Sequence, residues 1–260
     1  MRGSTPRCGS PPEADHTNPT FGTILRRLPT AQKSARGAPA YSRFVNRGAG
    51  GYLAAVAHLA GRTPNEVTLV SALCTLAGIL ALALLPPSSA LGAGVAAALL
   101  LGYALDSADG QLARLRGGGH PSGEWLDHVV DSAKIPMLHS AVLVSAYRFG
   151  DQPDWWLLVP LGFTVVESVL FFTMILNEQL RKLHATTGPA NGTAPSVWRS
   201  LLVSPTDYGV LCLAFVLFGA HLAFTAVYTA LFLAQTLFAC AALPGWFLRA
   251  KRLTANGGEP

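Results

Sequence analysis

Blocks of about twenty apolar residues recur along this 260-residue chain, and they restrict it to the folds that a lipid bilayer allows. Inside hydrocarbon every backbone N–H and C=O must find a partner within the protein, so blocks of this length span as helices. The first covers about 67–85 and is stopped by Pro86 and Pro87. Others cover about 89–108, 124–147 and 155–176. A polar stretch follows. Residues 207–248 are then apolar, with one break near 219–223, where His221 stands. That length suffices for two spans of roughly 20 residues, at 207–220 and 224–248. The expected fold is an all-α integral membrane protein with six transmembrane helices. Composition agrees: 50% of the residues are hydrophobic and 13% charged, whereas a soluble domain carries about a quarter charged.

The chain before the first span divides in two. Residues 1–40 are rich in Gly, Pro, Ser, Thr and charge and hold no continuous apolar stretch of the signal-peptide kind. They read as a disordered tail. In residues 41–61, Phe44, Val45, Tyr52, Leu53, Val56 and Leu59 can share one helix face, with Arg43, Arg47 and His58 off it. The segment is too short and interrupted to span, and an interfacial helix lying along the membrane is expected. Residues 253–260 form a short second tail, so the membrane domain covers 41–252. Cys74, Cys212 and Cys240 lie in apolar runs and Cys8 in the tail, with no CxxC pair. They read as small buried hydrophobes.

The formal charge is +5, and nine of the nineteen Lys and Arg precede Asn65. With both termini in the cytoplasm, Arg148 alone falls in an outside loop and Lys134 alone within a span. The other seventeen basic residues are then cytoplasmic, as the positive-inside rule demands. The basic excess is thus accounted for by topology and anionic lipid, and no nucleic-acid partner is expected.

Between the second and third spans lies DSADGQLARLRGGGHPSGEWLDHVVD, Asp106 to Asp131. Carboxylates beside hydrocarbon need compensating positive charge. Asp106 and Asp109 are three apart and Asp127 and Asp131 four apart, so each pair shares one helix face. Gly117, Gly118, Gly119 and Pro121 break the helix between them and can fold the faces together. Four converging carboxylates make a hard-oxygen site for Mg²⁺ or Mn²⁺. On this topology the site faces the cytoplasm.

The pattern Asp106-x2-Asp109-Gly110-x2-Ala113-Arg114-x8-Gly123-x3-Asp127-x3-Asp131 resembles the signature of the CDP-alcohol phosphatidyltransferase family. Eight fixed positions over twenty-six residues make it a specific signal. The resemblance implies a phospholipid-biosynthetic membrane enzyme that moves a phosphoryl-linked group from a CDP-linked donor to an alcohol and releases CMP. It implies Asp106, Asp109 and Asp127 as metal ligands for two ions. Asp131 becomes the general base, also touching the second metal. It further implies an interfacial helix before the first span and a homodimer. Small residues at Gly110, Ala113 and Gly123 would let ribose or phosphate approach the backbone, and Arg114 would face the diphosphate. Pro64, Asn65 and Thr68 match a segment that lines the nucleotide pocket in the family, although Thr63 and Pro64 also read as a helix start. Basic residues that could hold an anionic acceptor are Lys134, Arg181, Lys182 and Arg199; for the last three, topogenic charge is the competing reading. Lys134 could instead pair with a carboxylate. His128 reads as a polar residue at the mouth of the site, and Glu167, mid-span, as a functional acid or an inter-helix hydrogen bond.

The donor the pattern favours is CDP-diacylglycerol. Gly123 to Ser132, GEWLDHVVDS, is also similar to the choline/ethanolamine phosphotransferase branch, in which the soluble CDP-alcohol is donor and a lipid alcohol accepts. An intramembrane prenyltransferase would need two separate Asp-rich motifs and more spans. A transporter using intramembrane carboxylates would be expected to show repeat halves. An inactive relative is disfavoured by the intact Asp131.

Overall fold

The computed structural model describes residues 21–31, 39–183 and 206–255, and all regular structure there is helical. Helix α1 is Phe21–Ala31. A π-turn, Ser42–Asn46, leads into α2, Arg47–Leu59. Then come α3, Pro64–Leu84, α4, Ser89–Leu115, and α5, Pro121–Phe149. A 3₁₀ turn, Asp154–Leu157, opens α6, Leu158–Leu183. Helix α7 is Tyr208–Ala214, extended by a 3₁₀ turn, Phe215–Leu217, and α8 is His221–Ala255.

Among the described residues, five stretches are long and apolar enough to cross a membrane: α3, α4, α5, Asp154–Leu183 and His221–Arg252. The expected span at 207–220 corresponds to a shorter apolar helix, Tyr208–Leu217. Ten helical residues rise about 15 Å, half of a hydrocarbon core of roughly 30 Å. This element begins beside Tyr103 of α4, whose ring meets that of Tyr208 edge-on at 5.2 Å. It ends with Gly219 against Ser88 and Ser89 at the start of α4. Its start is held by the residues at the π-turn. Tyr41 packs on Gly209, and Asp207 accepts hydrogen bonds from the Ser42 N–H at 2.8 Å and the Gly209 N–H at 3.0 Å.

Helix boundaries differ from the sequence expectation at the ends that carry the carboxylates. The second span was expected to stop near 108 and the third to start near 124, but α4 runs on to Leu115 and α5 starts at Pro121. Polar residues continue a helix as well as apolar ones once its carbonyls are paired. What ends α4 is the turn at Gly117 and Gly118, whose φ of 97° and 128° few other residues adopt. The tail expectation is also corrected. Phe21–Ala31 is a helix, because Ile24 and Leu28 bury themselves against the bundle, Leu28 among Ala54, Val67, Ala108 and Leu112. Residues 1–20, 32–38 and 256–260 lie outside the described residues.

Across the π-turn and α2, Phe44, Val45, Tyr52, Val56 and Leu59 stay exposed, while Leu53 turns to the bundle. That is the surface an interfacial helix presents to lipid. Two polar contacts tie this arm to α4: Asn46 donates to the Tyr103 carbonyl at 3.2 Å and Gln111 donates to the Arg47 carbonyl at 3.1 Å. Helix α3 packs against both carboxylate-bearing helices, α4 and α5. It meets α4 closely because Gly102 has no Cβ; one built there would fall 2.2 Å from Thr75 Oγ1. Small residues of this kind are how membrane helices approach without a hydrophobic driving force between them. The main core lies farther along the bundle, around Leu82, Leu99, Leu138, Phe163, Phe215 and Tyr228.

Candidate active site

Three helix ends meet where α4 stops and α5 starts. Helix α3 starts at a capping box: Thr63 Oγ1 accepts from the Glu66 N–H at 3.3 Å and Glu66 accepts from the Thr63 N–H at 3.1 Å. Such a cap contributes about 1 kcal/mol and fixes the direction of the first turn. Pro64 occupies the first helical position, where its missing N–H costs nothing. Helix α5 starts at His120, whose Nδ1 accepts from the Ser122 N–H, followed by Pro121. Both starts are therefore rigid, and they face each other: a Cβ on Gly123 would stand 3.2 Å from Asn65 Oδ1.

Asp106 on α4 and Asp127 and Asp131 on α5 each offer an oxygen within 4.8 Å of the others. The two helix faces are folded together, but three carboxylates gather where four, Asp109 included, were expected. Asp109 stands outside this group. It is buried, and Thr68 Oγ1 donates to its Oδ2 at 2.5 Å. Thr68 thus anchors a carboxylate, a role its sequence position did not reveal. Lys134 sits inside the cluster, with Nζ 3.0 Å from Asp106 Oδ1 and 2.5 Å from Asp131 Oδ1. Of its two readings, the carboxylate pairing is the one observed.

Beside the cluster opens a cavity of about 570 Å³, well within the range of small-molecule sites. Pro64, Asn65, Thr68, Asp109, Gly110, Ala113, Arg114, Gly123 and Asp127 all line it. Asp127 belongs to both cavity and cluster and joins them. Arg114 reaches back over the preceding turn, so that a Cβ on Gly110 would lie 3.3 Å from its Nη1. Glycine at 110 leaves room for that guanidinium at the cavity wall.

The acceptor residues expected from sequence divide. Lys182 is at the rim, 2.6 Å from Glu124 Oε1 and 3.8 Å from Glu178 Oε1. Arg181 is exposed and does not line the cavity. Arg199 lies outside the described residues. His128 lines the cavity 3.8 Å from Glu124. His120, Glu124 and Glu178 also line it without having been singled out. The signal was available for Glu178, one helical turn before Lys182.

Glu167 is resolved as an inter-helix hydrogen bond. His139 Nε2 lies 3.0 Å from Glu167 Oε2, His139 Nδ1 lies 2.6 Å from the Tyr228 hydroxyl, and Gln235 donates to Glu167 at 3.3 Å. This cluster ties α5, α6 and α8 together. Sequence reasoning passed over His139, although a second mid-span ionisable residue is the natural partner to seek for the first.

Hard carboxylate oxygens gathered within 4.8 Å suit a divalent cation such as Mg²⁺ or Mn²⁺ by donor type. The described contacts thus place an acidic, oxygen-rich cluster against a cavity walled by glycines and an arginine, at one end of a membrane bundle. Comparison with curated proteins gives no match. Comparison with families gives one: residues 62–248 match CDP-alcohol phosphatidyltransferase.

Proposed function

The chain belongs to the CDP-alcohol phosphatidyltransferase family, transferases that pass a phosphate-linked group from a CDP-alcohol to an alcohol, and on that premise we propose that it uses CDP-diacylglycerol as donor, a polar alcohol as acceptor and Mg²⁺ or Mn²⁺ as cofactor. The observation that carries this reading is Asp127, shared between the carboxylate cluster and the cavity wall. Asp106, Asp127 and Asp131 would hold the metal, with Asp109 held by Thr68 at the cavity wall. The bound cations would neutralise charge building on the diphosphate oxygens.

The chain's own residues do the rest. Arg114, at the cavity wall beside Gly110, offers a second positive charge to the diphosphate. Asn65 and Gly123, facing each other, form the narrow side in which a nucleotide is gripped. Asp131 takes the proton from the acceptor hydroxyl as its oxygen bonds to the second phosphorus. The bond from that phosphorus to the bridging oxygen breaks, and CMP leaves with the electron pair. Displacement is direct, with no covalent enzyme intermediate. With Tyr208–Leu217 taken as the short sixth crossing, seventeen of the nineteen basic residues fall inside, which supports a cytoplasmic site and cytoplasmic termini.

A second reading draws on the rim. Glu124 and Glu178 bring two carboxylates to the cavity mouth around Lys182. That acidic rim suits a cationic alcohol on a soluble CDP-choline-type donor, with a lipid alcohol accepting. One assay separates the two: CMP release by purified protein with Mg²⁺ or Mn²⁺. CDP-diacylglycerol plus polar alcohols is expected to give CMP. Release only from soluble CDP-alcohols plus diacylglycerol would reverse which substrate is the lipid.

A further inference from the structure

We infer that Lys134 is a resident cation of the carboxylate cluster: a positioning residue that holds Asp131 against Asp106 and weakens the site's grip on divalent ions. The inference rests on the metal-dependent reading above.

The ammonium stands between two of the three clustered carboxylates, 3.0 Å from Asp106 Oδ1 and 2.5 Å from Asp131 Oδ1. It comes from α5, one turn beyond Asp131, and reaches a carboxylate of α4. It therefore crosses the seam that the site spans. Its side chain is 12% exposed and each of the two carboxylates 20%, so bulk water screens the pairing poorly. The ammonium is also backed from behind. The Tyr208 ring centre lies 5.8 Å from Nζ, Tyr103 meets Tyr208 edge-on, and Tyr41 stacks on Tyr103 at 6.4 Å. This aromatic column runs from the interfacial arm through α4 to α7 and leaves the ammonium little room to swing away.

Two consequences follow from charge and geometry. Lys134 engages one oxygen of each carboxylate, leaving the second oxygen of each for a metal. A fixed positive charge beside the metal position repels the ion, so affinity is lower than the carboxylates alone would give. In exchange, Asp131 is held in one orientation, which a base must have to meet its proton.

The test is Mn²⁺ binding to purified full-length protein in detergent, read as the loss of free-ion electron spin resonance signal, together with kcat and KM. Lys134→Gln keeps a hydrogen-bond donor and removes the charge. It is expected to bind Mn²⁺ about tenfold more tightly while kcat falls about tenfold or more, with donor KM little changed, the scale seen for groups that orient metal-site ligands. Lys134→Arg keeps the charge and is expected to restore Mn²⁺ affinity to near the wild-type value. Unchanged or weaker Mn²⁺ binding by Lys134→Gln would overturn the inference. If that variant does not fold, Lys134→Arg alone carries the test, and a large change in its Mn²⁺ affinity overturns the inference. Absence of Mn²⁺ binding in the wild-type protein itself would remove the metal-dependent reading instead, and this inference with it.

Discussion

Two polar clusters sit on α5, about Asp131 and about His139, eight residues or roughly 12 Å apart along the helix. They answer the same problem in opposite ways. At His139 every element is supplied by the protein: Glu167 and Tyr228 take its two ring nitrogens, Gln235 takes the other Glu167 oxygen, and Phe163 stacks on the imidazole at 4.1 Å. The imidazole is fully buried. At Asp131, Lys134 bridges two of the three clustered carboxylates, and the third, Asp127, opens the cluster to a large cavity. An ionisable side chain inside a membrane is therefore not in itself a mark of chemistry. Carboxylates gathered beside an open cavity are.

Substitution distinguishes the two clusters. The largest effect is expected at Asp131→Asn, which removes the proton acceptor and leaves the fold. CMP release should fall by about 10²–10⁴-fold, with metal-dependent donor binding largely kept; equal loss of binding would make Asp131 chiefly a ligand. The next effect is of another kind. Glu167→Leu takes the partner from His139 Nε2 and from the Gln235 amide, and each lost inter-helix hydrogen bond costs about 0.6 kcal/mol, up to roughly 1.7. The melting temperature should fall while kcat/KM at the surviving fold stays nearly constant. A large loss of kcat without a fall in melting temperature would merge the two clusters into one machine. The smallest effect is expected at Lys182→Ala. Its pairs with Glu124 and Glu178 are half exposed and contribute less than about 1 kcal/mol. Acceptor KM should barely move; a steep rise would show that the acceptor is an anion held at the rim.

The carboxylate site was legible because helical spacing and glycine punctuation act locally: three and four residues fix a face, and Gly117 and Gly118 fix a turn. The spans were legible because apolar length is read directly from composition. What escaped depends on contacts distant in sequence. Composition made Phe21–Ala31 look like tail, yet two side chains, Ile24 and Leu28, are enough to dock it. Apolar content around 207–220 reports avoidance of water but not whether lipid or protein provides the shelter; here the π-turn and Tyr41 supply part of it. Thr68 looked like a pocket residue, and only the fold reveals Asp109 against it.

The composition of α5 has a consequence for how the chain is made. Its best window has a mean hydropathy of 1.2, against 2.4 for α3. Each central Asp or Lys adds about 2.5 to 3.5 kcal/mol to the cost of entering a bilayer. Asp131 and Lys134 enter more cheaply as a pair, and Asp106 is already waiting on the helix synthesised just before. His139 must wait longer, since Glu167 and Tyr228 are translated later. α5 is thus the segment whose partition into lipid depends on its neighbours, and the step at which biogenesis is most easily stalled.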